Sequence, residues 1–393
     1  MTHKETLGYS IHEYDLQATR DMTVKVNNNR FRILMDLAHG CYGNCQGCSM
    51  SVIDKVKPNP LDIAKLREHL SAFVPIINAR DDLYSTNVNY GIGDYFLYDE
   101  DSLEGLAEAT ADYFNQLHVE RNVISLSTSL LNKGHKLQGK VERLLRHLAP
   151  TQIIFDSVID PARLEEHFED YLANIQLLTQ QSRFFLDVAI NIHKDLTPAH
   201  ARQFYEFVKQ ANIMNLDLQY AVNNTNTYKV YTDSDAFKPF LETLWNLLVK
   251  DHNEELLTQS ITIPQIDSSM SIMELISKTT QDGFDGRILL DSEGKAWYVA
   301  FGLGDMLIDS RYTVKGHAIP SLGEIQNGVF IPNPKAKRLL ERVLLKSASS
   351  EACMECTYQK TCYGSGYGWY HLHSPHPRMC GNPARAVFEI MKI

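Results

Sequence analysis

Three cysteines, Cys41, Cys45 and Cys48, lie within eight residues of one another. The spacing leaves three and then two residues between them, so a tight loop could turn three thiolates toward one metal centre. A 4Fe-4S cluster normally takes four thiolates, and the next cysteine along the chain is Cys353. The triplet therefore predicts a cluster with one iron left open to bind a substrate or cosubstrate.

Two other interpretations of the triplet stay open on spacing alone. A structural zinc site usually has closed four-coordination and uses pairs of cysteines of the CxxC type, which fits an asymmetric triplet poorly. Disulfides would leave one of three thiols unpaired. The remaining four cysteines form a second group that is large enough to ligate either a cluster or a zinc ion completely; its members are Cys353, Cys356, Cys362 and Cys380.

The elements that would position these cysteines follow a β/α repeat of roughly 30 residues, the size of a βαβ unit. The run from Arg30 to Leu37 predicts a first strand, which leads directly into the cysteine loop. Further apolar, β-rich runs follow near 84–90, 122–128, 151–156, 184–190 and 214–220, with amphipathic helical stretches between them. Six strands alternating with helices predict a parallel sheet, either open or curled into part of a barrel.

Helix starts are marked by a capping residue followed by proline. Pairs of this kind are Asn59-Pro60, Asp160-Pro161 and Thr197-Pro198. The capping side chain accepts a free backbone N–H, and proline suits the first helical position. Each pair predicts a helix that begins there.

Small and polar residues follow the predicted strands at the edge where ligands of such sheets bind. Each could contact a cofactor, and each could equally be a turn or cap residue. In Tyr90-Gly-Ile-Gly-Asp, two glycines beside a carboxylate suit a backbone that must approach a ligand closely. The candidate cofactor-binding residues are Gly91, Gly93, Asp94, Ser127, Asp156, Ser157 and Asn191.

The chain has four predicted segments. Residues 1–29 form a polar N-terminal segment, 30–235 the β/α core, 236–282 a helical linker and 283–393 a small second domain. No further strand of the repeat is expected between 222 and 282. From Gly286 to Ala300 the sequence predicts a β-hairpin, with its turn at Asp291 to Gly294, and a helix is expected near 335–347.

Composition excludes several functional classes. The 393 residues carry a formal net charge of −10, so a nucleic acid would be repelled on average. The first thirty residues lack a signal-peptide pattern, and no apolar run reaches the length of a membrane span. We expect a cytoplasmic protein with no nucleic-acid partner and no membrane partner, in which cysteines serve as metal ligands or catalytic groups.

Taken together, these motifs resemble the radical S-adenosylmethionine enzymes, and residues 283–393 resemble their C-terminal SPASM or twitch extension. The likeness covers about residues 30–235 and the extension. It implies an α/β fold class with a partial (β/α)6 TIM-like barrel and a small α+β iron–sulfur domain.

The resemblance also implies cofactors and site residues. Cys41, Cys45 and Cys48 would hold a 4Fe-4S cluster whose open iron binds S-adenosylmethionine. Gly91 to Asp94 takes the place of the family's GGE-type motif for the methionine amine, and Asp156 or Ser157 falls where a ribose contact is usual. An electron donor such as flavodoxin or ferredoxin would supply one electron. Reduction would then give a 5'-deoxyadenosyl radical.

Departures from the family pattern refine this interpretation. Gly47 stands where an aromatic residue commonly packs near the adenine, so Tyr42 or Tyr90 would have to replace that ring. In the extension, Val299 and Gly366 stand where cysteines of a first auxiliary cluster are expected. One auxiliary 4Fe-4S cluster, ligated by Cys353, Cys356, Cys362 and Cys380, is therefore implied. Ala300 replaces the acidic base of sulfatase-maturing members, which argues against formylglycine formation by that route.

Three functions are consistent with the sequence. The first is a maturase that cross-links or otherwise oxidises side chains of a ribosomally made precursor peptide. The second is a radical dehydrogenase of a small metabolite such as an amino-sugar. The third is a non-catalytic iron–sulfur sensor or scaffold, which would not cleave S-adenosylmethionine.

Overall fold

The structure, a computed structural model, describes residues 30–37, 40–41, 60–81, 83–91, 93–132, 134–148, 151–180, 184–213, 215–220, 234–253, 260–262, 287–298, 313–314, 317–318 and 321–335, together with 355, 357, 386, 389 and 390. A parallel sheet forms its centre, with neighbouring strands in the order of the sequence. Its parallel strands are β1 (Arg30–Asp36), β2 (Ser85–Tyr90), β3 (Arg121–Ser127), β4 (Gln152–Ile159), β5 (Phe184–Ile192), β6 (Asn215–Tyr220) and β7 (Ser260–Thr262).

Helices connect these strands, as the β/α repeat predicts. They are α1 (Ile63–Ser71), α2 (Val74–Asn78), α3 (Glu100–Phe114), α4 (Gly134–His147), α5 (Pro161–Glu166), α6 (Phe168–Thr179), α7 (Pro198–Gln210) and α8 (Lys238–Asn253), with 3-10 turns at Tyr95–Leu97 and Ser234–Ala236. The predicted α/β fold class with a parallel sheet is confirmed. Among the described helices, none is long and apolar enough to cross a membrane.

Two of the three predicted helix starts are confirmed. Asp160 caps α5 and Thr197 caps α7, each directly before a proline. The start at Asn59-Pro60 is wrong, because α1 begins at Ile63 and its N-cap is Asp62. The Asp62 carboxylate accepts the backbone N–H of Lys65 at 3.0 Å, so it satisfies a free amide of the first turn.

The expectation of no strand between 222 and 282 is also wrong. Strand β7 covers three residues and pairs in parallel with β6. A segment of three residues is too short to show a periodic pattern, which explains why the sequence does not indicate it.

The two faces of the sheet differ in character. On the outer face, the Phe31 ring lies 6.1 Å from the Phe73 ring, and the Thr86 hydroxyl lies 3.5 Å from the Tyr113 hydroxyl of α3. Side chains alternate between faces along a strand. Arg32 follows Phe31 on β1, and Asn87 follows Thr86 on β2. Both therefore lie on the inner face, away from these helices.

Two antiparallel hairpins extend the sheet beyond β1. The first is β8 (Arg287–Asp291) with β9 (Lys295–Tyr298), as predicted, and the second is β12 (Gly323–Gln326) with β13 (Val329–Pro332); β10 (Thr313–Val314) and β11 (His317–Ala318) pair separately. Strand β8 pairs in parallel with β1, which places Asp291 beside Asp36. The core sheet and the C-terminal hairpins are thus one continuous sheet. The helix predicted near 335–347 lies outside the described residues.

The hairpins also dock on α1. The Glu68 carboxylate accepts the backbone N–H of Gly328 at 2.9 Å, and Lys65 Nζ lies 3.8 Å from a Glu293 oxygen. His69 is buried against Gly294, and its burial lowers the pKa of the imidazole. Helix α1 therefore connects the β/α core to the hairpins.

Candidate cofactor site

The first strand delivers the chain to the carboxyl edge of the sheet at Cys41. Strand β1 ends at Asp36, and five residues later Cys41 is partly buried. The other two cysteines of the triplet, Cys45 and Cys48, lie outside the described residues. So does the whole second group, Cys353, Cys356, Cys362 and Cys380. Within the part of the chain that the structure describes, no three His, Cys, Asp or Glu side chains form a metal site.

A backbone hydrogen bond joins the start of the cysteine loop to the glycine turn after β2. The N–H of Asp94 donates to the carbonyl of Gly40, with 2.6 Å between nitrogen and oxygen. Gly40 directly precedes Cys41, so the bond fixes the first cysteine relative to the Gly91 to Asp94 turn. Two segments that the sequence nominates separately are therefore adjacent in the fold.

Gly93 is required by the backbone conformation of this turn, and Gly91 is closely packed. A Cβ on Gly91 would lie 2.4 Å from Asn89 Oδ1 and 2.6 Å from Leu34 Cδ1, closer than real Cβ contacts. Gly93 has a φ of 90°, a conformation that side chains with a Cβ rarely adopt. The turn therefore lies tightly against β1 and β2.

The Asp94 side chain is fully buried and engaged within the protein. One carboxylate oxygen accepts the N–H of Phe96 at 3.1 Å, and the other accepts the Ser129 hydroxyl. Burial raises the pKa of the Asp94 carboxyl, and hydrogen bonds from Ser129, Thr128 and Phe96 oppose that rise. This carboxylate thus links the loop after β2 to the loop after β3.

The loop after β3 is held from a second side by Asn174 of α6. Its amide nitrogen donates to the carbonyls of Leu130 at 2.7 Å and Asn132 at 2.5 Å. Leu130 itself has a φ of 54°, an uncommon conformation for a residue with a Cβ. No local pattern in the sequence predicts these two hydrogen bonds, because an asparagine within a helix is usually a surface residue.

The inner face carries a row of polar residues near the carboxyl edge. Ser127 of β3 pairs in register with Asp156 of β4, and Asp156 pairs with Asp187 of β5. Neighbouring strands lie about 4.8 Å apart, so these three residues are adjacent. Asn191 lies four residues beyond Asp187, on the same face of β5. Asp187 is not among the residues that the sequence indicates, because only the strand register reveals that it adjoins Asp156.

Ser157 lies on the other face from Asp156. Its hydroxyl is 3.1 Å from the Tyr171 hydroxyl of α6 and accepts Arg163 Nη1 at 3.2 Å. Of the two predicted ribose contacts, Asp156 therefore faces inward and Ser157 faces the helices. Tyr90 likewise faces the helices, where its hydroxyl is 2.7 Å from Thr110 Oγ1, so it does not supply the missing adenine ring. Tyr42, the other candidate for that ring, lies outside the described residues.

His193, at the end of β5, is a further buried group near this edge. It is 3 % exposed, and its Nδ1 accepts the backbone N–H of Asp195 at 3.3 Å. Burial lowers the pKa of His193 to about 4, so the imidazole is neutral at physiological pH. No sequence motif singles it out.

The described groups suit a cofactor held at the carboxyl edge of a parallel sheet. A thiol, a glycine turn that brings backbone close, and inward carboxylates converge there. Thiolates bind iron, and close backbone and carboxylates can hold amine and hydroxyl groups. The residues present are therefore compatible with an iron–sulfur cluster and a nucleoside-bearing cosubstrate.

Comparison with solved structures identifies the fold. A structure of anSMEcpe with bound AdoMet has a TM-score of 0.61 and 13% sequence identity, covering 92% of this chain and 96% of that chain. SuiB from Streptococcus suis, bound to S-adenosylmethionine, has a TM-score of 0.52 and 11% identity, covering 90% of this chain and 77% of that chain. Both are radical SAM enzymes.

The chain has the radical SAM fold. The resemblance of the sequence motifs to the radical S-adenosylmethionine enzymes is thereby confirmed at the level of the fold. No protein-family model matches the sequence, and no curated protein matches it either. At 11–13% identity the likeness to the solved structures concerns the fold alone.

Proposed function

We propose that the chain is a radical S-adenosylmethionine enzyme acting on a peptide. The observation that supports it is the hydrogen bond from Asp94 N–H to the Gly40 carbonyl, which holds the cysteine loop beside the glycine turn. Both segments lie at the carboxyl edge of the parallel sheet, and the chain has the radical SAM fold.

The chain's own residues have distinct roles in this proposal. Cys41, Cys45 and Cys48 hold the 4Fe-4S cluster that binds S-adenosylmethionine. When bound, this cluster supplies the electron that cleaves the sulfonium and so starts hydrogen abstraction from the substrate. Because the Asp94 carboxylate is engaged by Phe96 and Ser129, the backbone at Gly91 and Gly93 meets the methionine amine, and Asp94 positions that backbone.

Other groups complete the cofactor site. Ser127, Asp156 and Asn191 hydrogen-bond the polar groups of the nucleoside from the inner face. Cys353, Cys356, Cys362 and Cys380 hold one auxiliary 4Fe-4S cluster in the 283–393 domain, ligated by protein alone. Such a cluster suits a reaction in which the substrate radical must lose an electron.

The substrate is a peptide that is cross-linked or otherwise oxidised on its side chains. One of the similar solved structures, of anSMEcpe, contains a bound Cp18Cys peptide as well as AdoMet, at 13% identity and a TM-score of 0.58. A flavodoxin or ferredoxin would supply the electrons, and the protein would act in the cytoplasm.

Anaerobic reconstitution with iron and sulfide tests the chemistry. With dithionite and S-adenosylmethionine, the protein should form 5'-deoxyadenosine and bind about eight irons per chain. Cys41→Ala should abolish 5'-deoxyadenosine and remove about four irons. Cys353→Ala should remove a similar amount of iron yet keep some uncoupled cleavage. Full iron loading of the wild type without any 5'-deoxyadenosine would contradict the proposal in favour of a sensor or scaffold.

Incubation with candidate peptides tests the substrate class. Peptides encoded beside this gene should lose two hydrogens, as measured by mass spectrometry, in a reaction that needs S-adenosylmethionine. Oxidation of an amino-sugar at an alcohol, with every peptide unchanged, would instead assign the enzyme to small metabolites.

A further inference from the structure

Lys140 of α4 connects the helix layer to the loop after β2. Its ammonium donates to the carbonyl of Phe96, in the 3-10 turn that directly follows Asp94. One turn further along α4, the Arg143 side chain pairs with Glu100 of α3, with 3.5 Å between Arg143 Nε and a Glu100 oxygen. Because this ion pair holds α4 beside α3, the lysine is placed next to the turn that it contacts.

Phe96 belongs to a chain of hydrogen bonds that ends at the cysteine loop. Its N–H donates to the Asp94 carboxylate at 3.1 Å, and the Asp94 N–H donates to the Gly40 carbonyl at 2.6 Å. Gly40 directly precedes Cys41. A lysine on an outer helix is therefore linked, through Phe96 and Asp94, to the residue before the first cysteine of the triplet.

The carbonyl that Lys140 contacts belongs to a buried residue. Phe96 is 1 % exposed, and its ring lies 5.7 Å from the Phe155 ring of β4. A short 3-10 turn leaves its last carbonyls without partners inside the turn, so they need donors from elsewhere. A charged donor makes a stronger hydrogen bond than a neutral one, and a buried carbonyl that loses its donor is destabilised. The turn therefore depends on the lysine.

Lys140 also brings a positive charge close to the buried Asp94. Burial lowers the pKa of the Lys140 ammonium, and the negative charge of Asp94 opposes this fall. Each of the two groups thus favours the charged form of the other. Loss of the ammonium would remove both the donor to Phe96 and the cation near Asp94, so the turn would lose two sources of support.

We propose that Lys140 is a positioning residue for S-adenosylmethionine: through Phe96 and Asp94 it holds the Gly91 to Asp94 turn where the backbone of that turn meets the methionine amine. The inference rests on the proposed function and deepens it, because it assigns a residue of the helix layer to one part of the cosubstrate. Lys140 itself does not touch the cosubstrate, since its ammonium is engaged by Phe96. Its effect therefore concerns ligands that carry the methionine amine.

The nucleoside part of the cosubstrate provides an internal reference. Its proposed contacts lie on β3, β4 and β5, whereas Lys140 supports the loop after β2. 5'-Methylthioadenosine keeps the nucleoside and lacks the amino-acid part. A change confined to the turn should weaken binding of S-adenosylmethionine and spare 5'-methylthioadenosine, whereas a general disturbance of the site would weaken both.

Equilibrium titration of the reconstituted protein tests the inference. Lys140→Met keeps most of the side-chain length but removes the charge and the donor, and it should weaken S-adenosylmethionine binding by about five-fold or more. Binding of 5'-methylthioadenosine should change by less than about two-fold. Lys136→Met is the matched control, because Lys136 is exposed one turn earlier on α4. This variant should bind both ligands as the wild type does.

Hydrogen exchange of the protein without any ligand is the second measurement. The amides of Asp94 and Phe96 should exchange about three-fold faster or more in Lys140→Met than in the wild type, because their turn is less firmly held. In Lys136→Met they should exchange at the wild-type rate. Circular dichroism melting checks that each variant folds, and Lys140→Ala replaces Lys140→Met if the latter does not.

Several outcomes would overturn the inference. These are unchanged S-adenosylmethionine binding in Lys140→Met, equal weakening of both ligands in that variant, an equal loss in Lys136→Met, or unchanged exchange at Asp94 and Phe96. The proposed function is checked separately by the wild type. A wild type that binds no S-adenosylmethionine and forms no 5'-deoxyadenosine would contradict the proposed function, whereas an active wild type that Lys140→Met matches in every measurement would refute the role of Lys140 alone.

Discussion

Gly91 packs closely against the ends of two side chains, Asn89 and Leu34, in the candidate site. Gly91→Ala should lower the free energy of unfolding by about 1–3 kcal/mol, because the new methyl group would overlap Asn89 Oδ1 and Leu34 Cδ1. It should also weaken binding of S-adenosylmethionine, since the turn must shift. Urea denaturation and equilibrium titration of the reconstituted protein measure the two effects.

Gly134→Ala provides the control for that substitution. A Cβ on Gly134 would meet only Asn174 Oδ1, at 3.9 Å, and Gly134 begins α4, where alanine favours the helix. Stability should be unchanged or slightly higher. Equal stability of the Gly91 and Gly134 variants would show that the packing at Gly91 is not restrictive.

Asp94 is expected to act through the loops that it joins. Its raised pKa means that its contribution to stability is present at low pH and is lost as pH rises through the folded pKa. Asp94→Asn keeps an acceptor for Phe96 and offers a donor to Ser129. At pH 8 it should therefore be at least as stable as the wild type in urea, and it should bind S-adenosylmethionine within about three-fold.

Asp94→Ala removes both hydrogen bonds and should cost about 2–4 kcal/mol in unfolding free energy. A large loss of S-adenosylmethionine binding in Asp94→Asn, with its stability intact, would show that the carboxylate itself contacts the methionine amine.

At the scale of elements, α6 controls the loop after β3 through one side chain. Asn174→Leu would leave the carbonyls of Leu130 and Asn132 without their donor, and both lie in a buried loop. We expect a loss of about 1–3 kcal/mol in the free energy of unfolding. Because the same loop supplies Ser129 to Asp94, hydrogen exchange at Asp94 and Phe96 should also increase.

Gln176→Leu tests whether the change to leucine on α6 has an effect of its own. Gln176 is exposed on the same helix, and a surface substitution of this kind usually changes stability by less than about 0.5 kcal/mol. If both variants unfold at the same urea concentration, the two hydrogen bonds of Asn174 contribute nothing measurable.

Because His193 is buried, we expect the free energy of unfolding of the protein to depend on pH. The pKa of His193 is about 4 in the folded state against 6.5 for an unperturbed histidine, so unfolding takes up a proton between these values. The contribution of His193 to stability should be greatest above pH 6.5 and should fall by up to about 1.4 kcal/mol per pH unit toward pH 4. His193→Asn should reduce this slope, measured by urea denaturation from pH 7 to 5.

His118→Gln is the control, because residue 118 is exposed after α3. This variant should keep the wild-type slope. An unchanged slope in His193→Asn would show that other groups dominate the acid response.

Local patterns in the sequence predict most of the β/α core. Asp160 and Thr197 act through neighbouring amides, and the strands from β1 to β6 show apolar runs of sufficient length. Features that depend on distant pairing could not be predicted in this way. The adjacency of Asp156 and Asp187 and the pairing of β8 with β1 follow from strand register, which no local pattern encodes. The carbonyls that accept from Asn174 belong to a loop that is distant in the chain.

The same limit applies to the candidate site. Cysteine spacing nominates Cys41, and the glycine turn is visible as Gly-Ile-Gly-Asp. The hydrogen bond from Ser129 to Asp94 joins two loops that are distant in the chain, and the outward direction of Ser157 toward Tyr171 depends on how β4 alternates between the two faces. The sequence identifies candidates at the strand ends, and only the fold separates those that face the inner surface.

The pairing of β8 with β1 has a consequence for synthesis on the ribosome. Asp36 and Asp291 are partners in the sheet although about 250 residues separate them in the chain. At about 5–20 residues per second, the strand that carries the cysteine loop would wait roughly 10–50 s for its second neighbour to be translated. During that time, one edge of β1 is open, and the cysteine loop is attached to a strand that is paired only on the β2 side. Assembly of the proposed cluster would therefore follow translation, once the C-terminal hairpins have closed the edge.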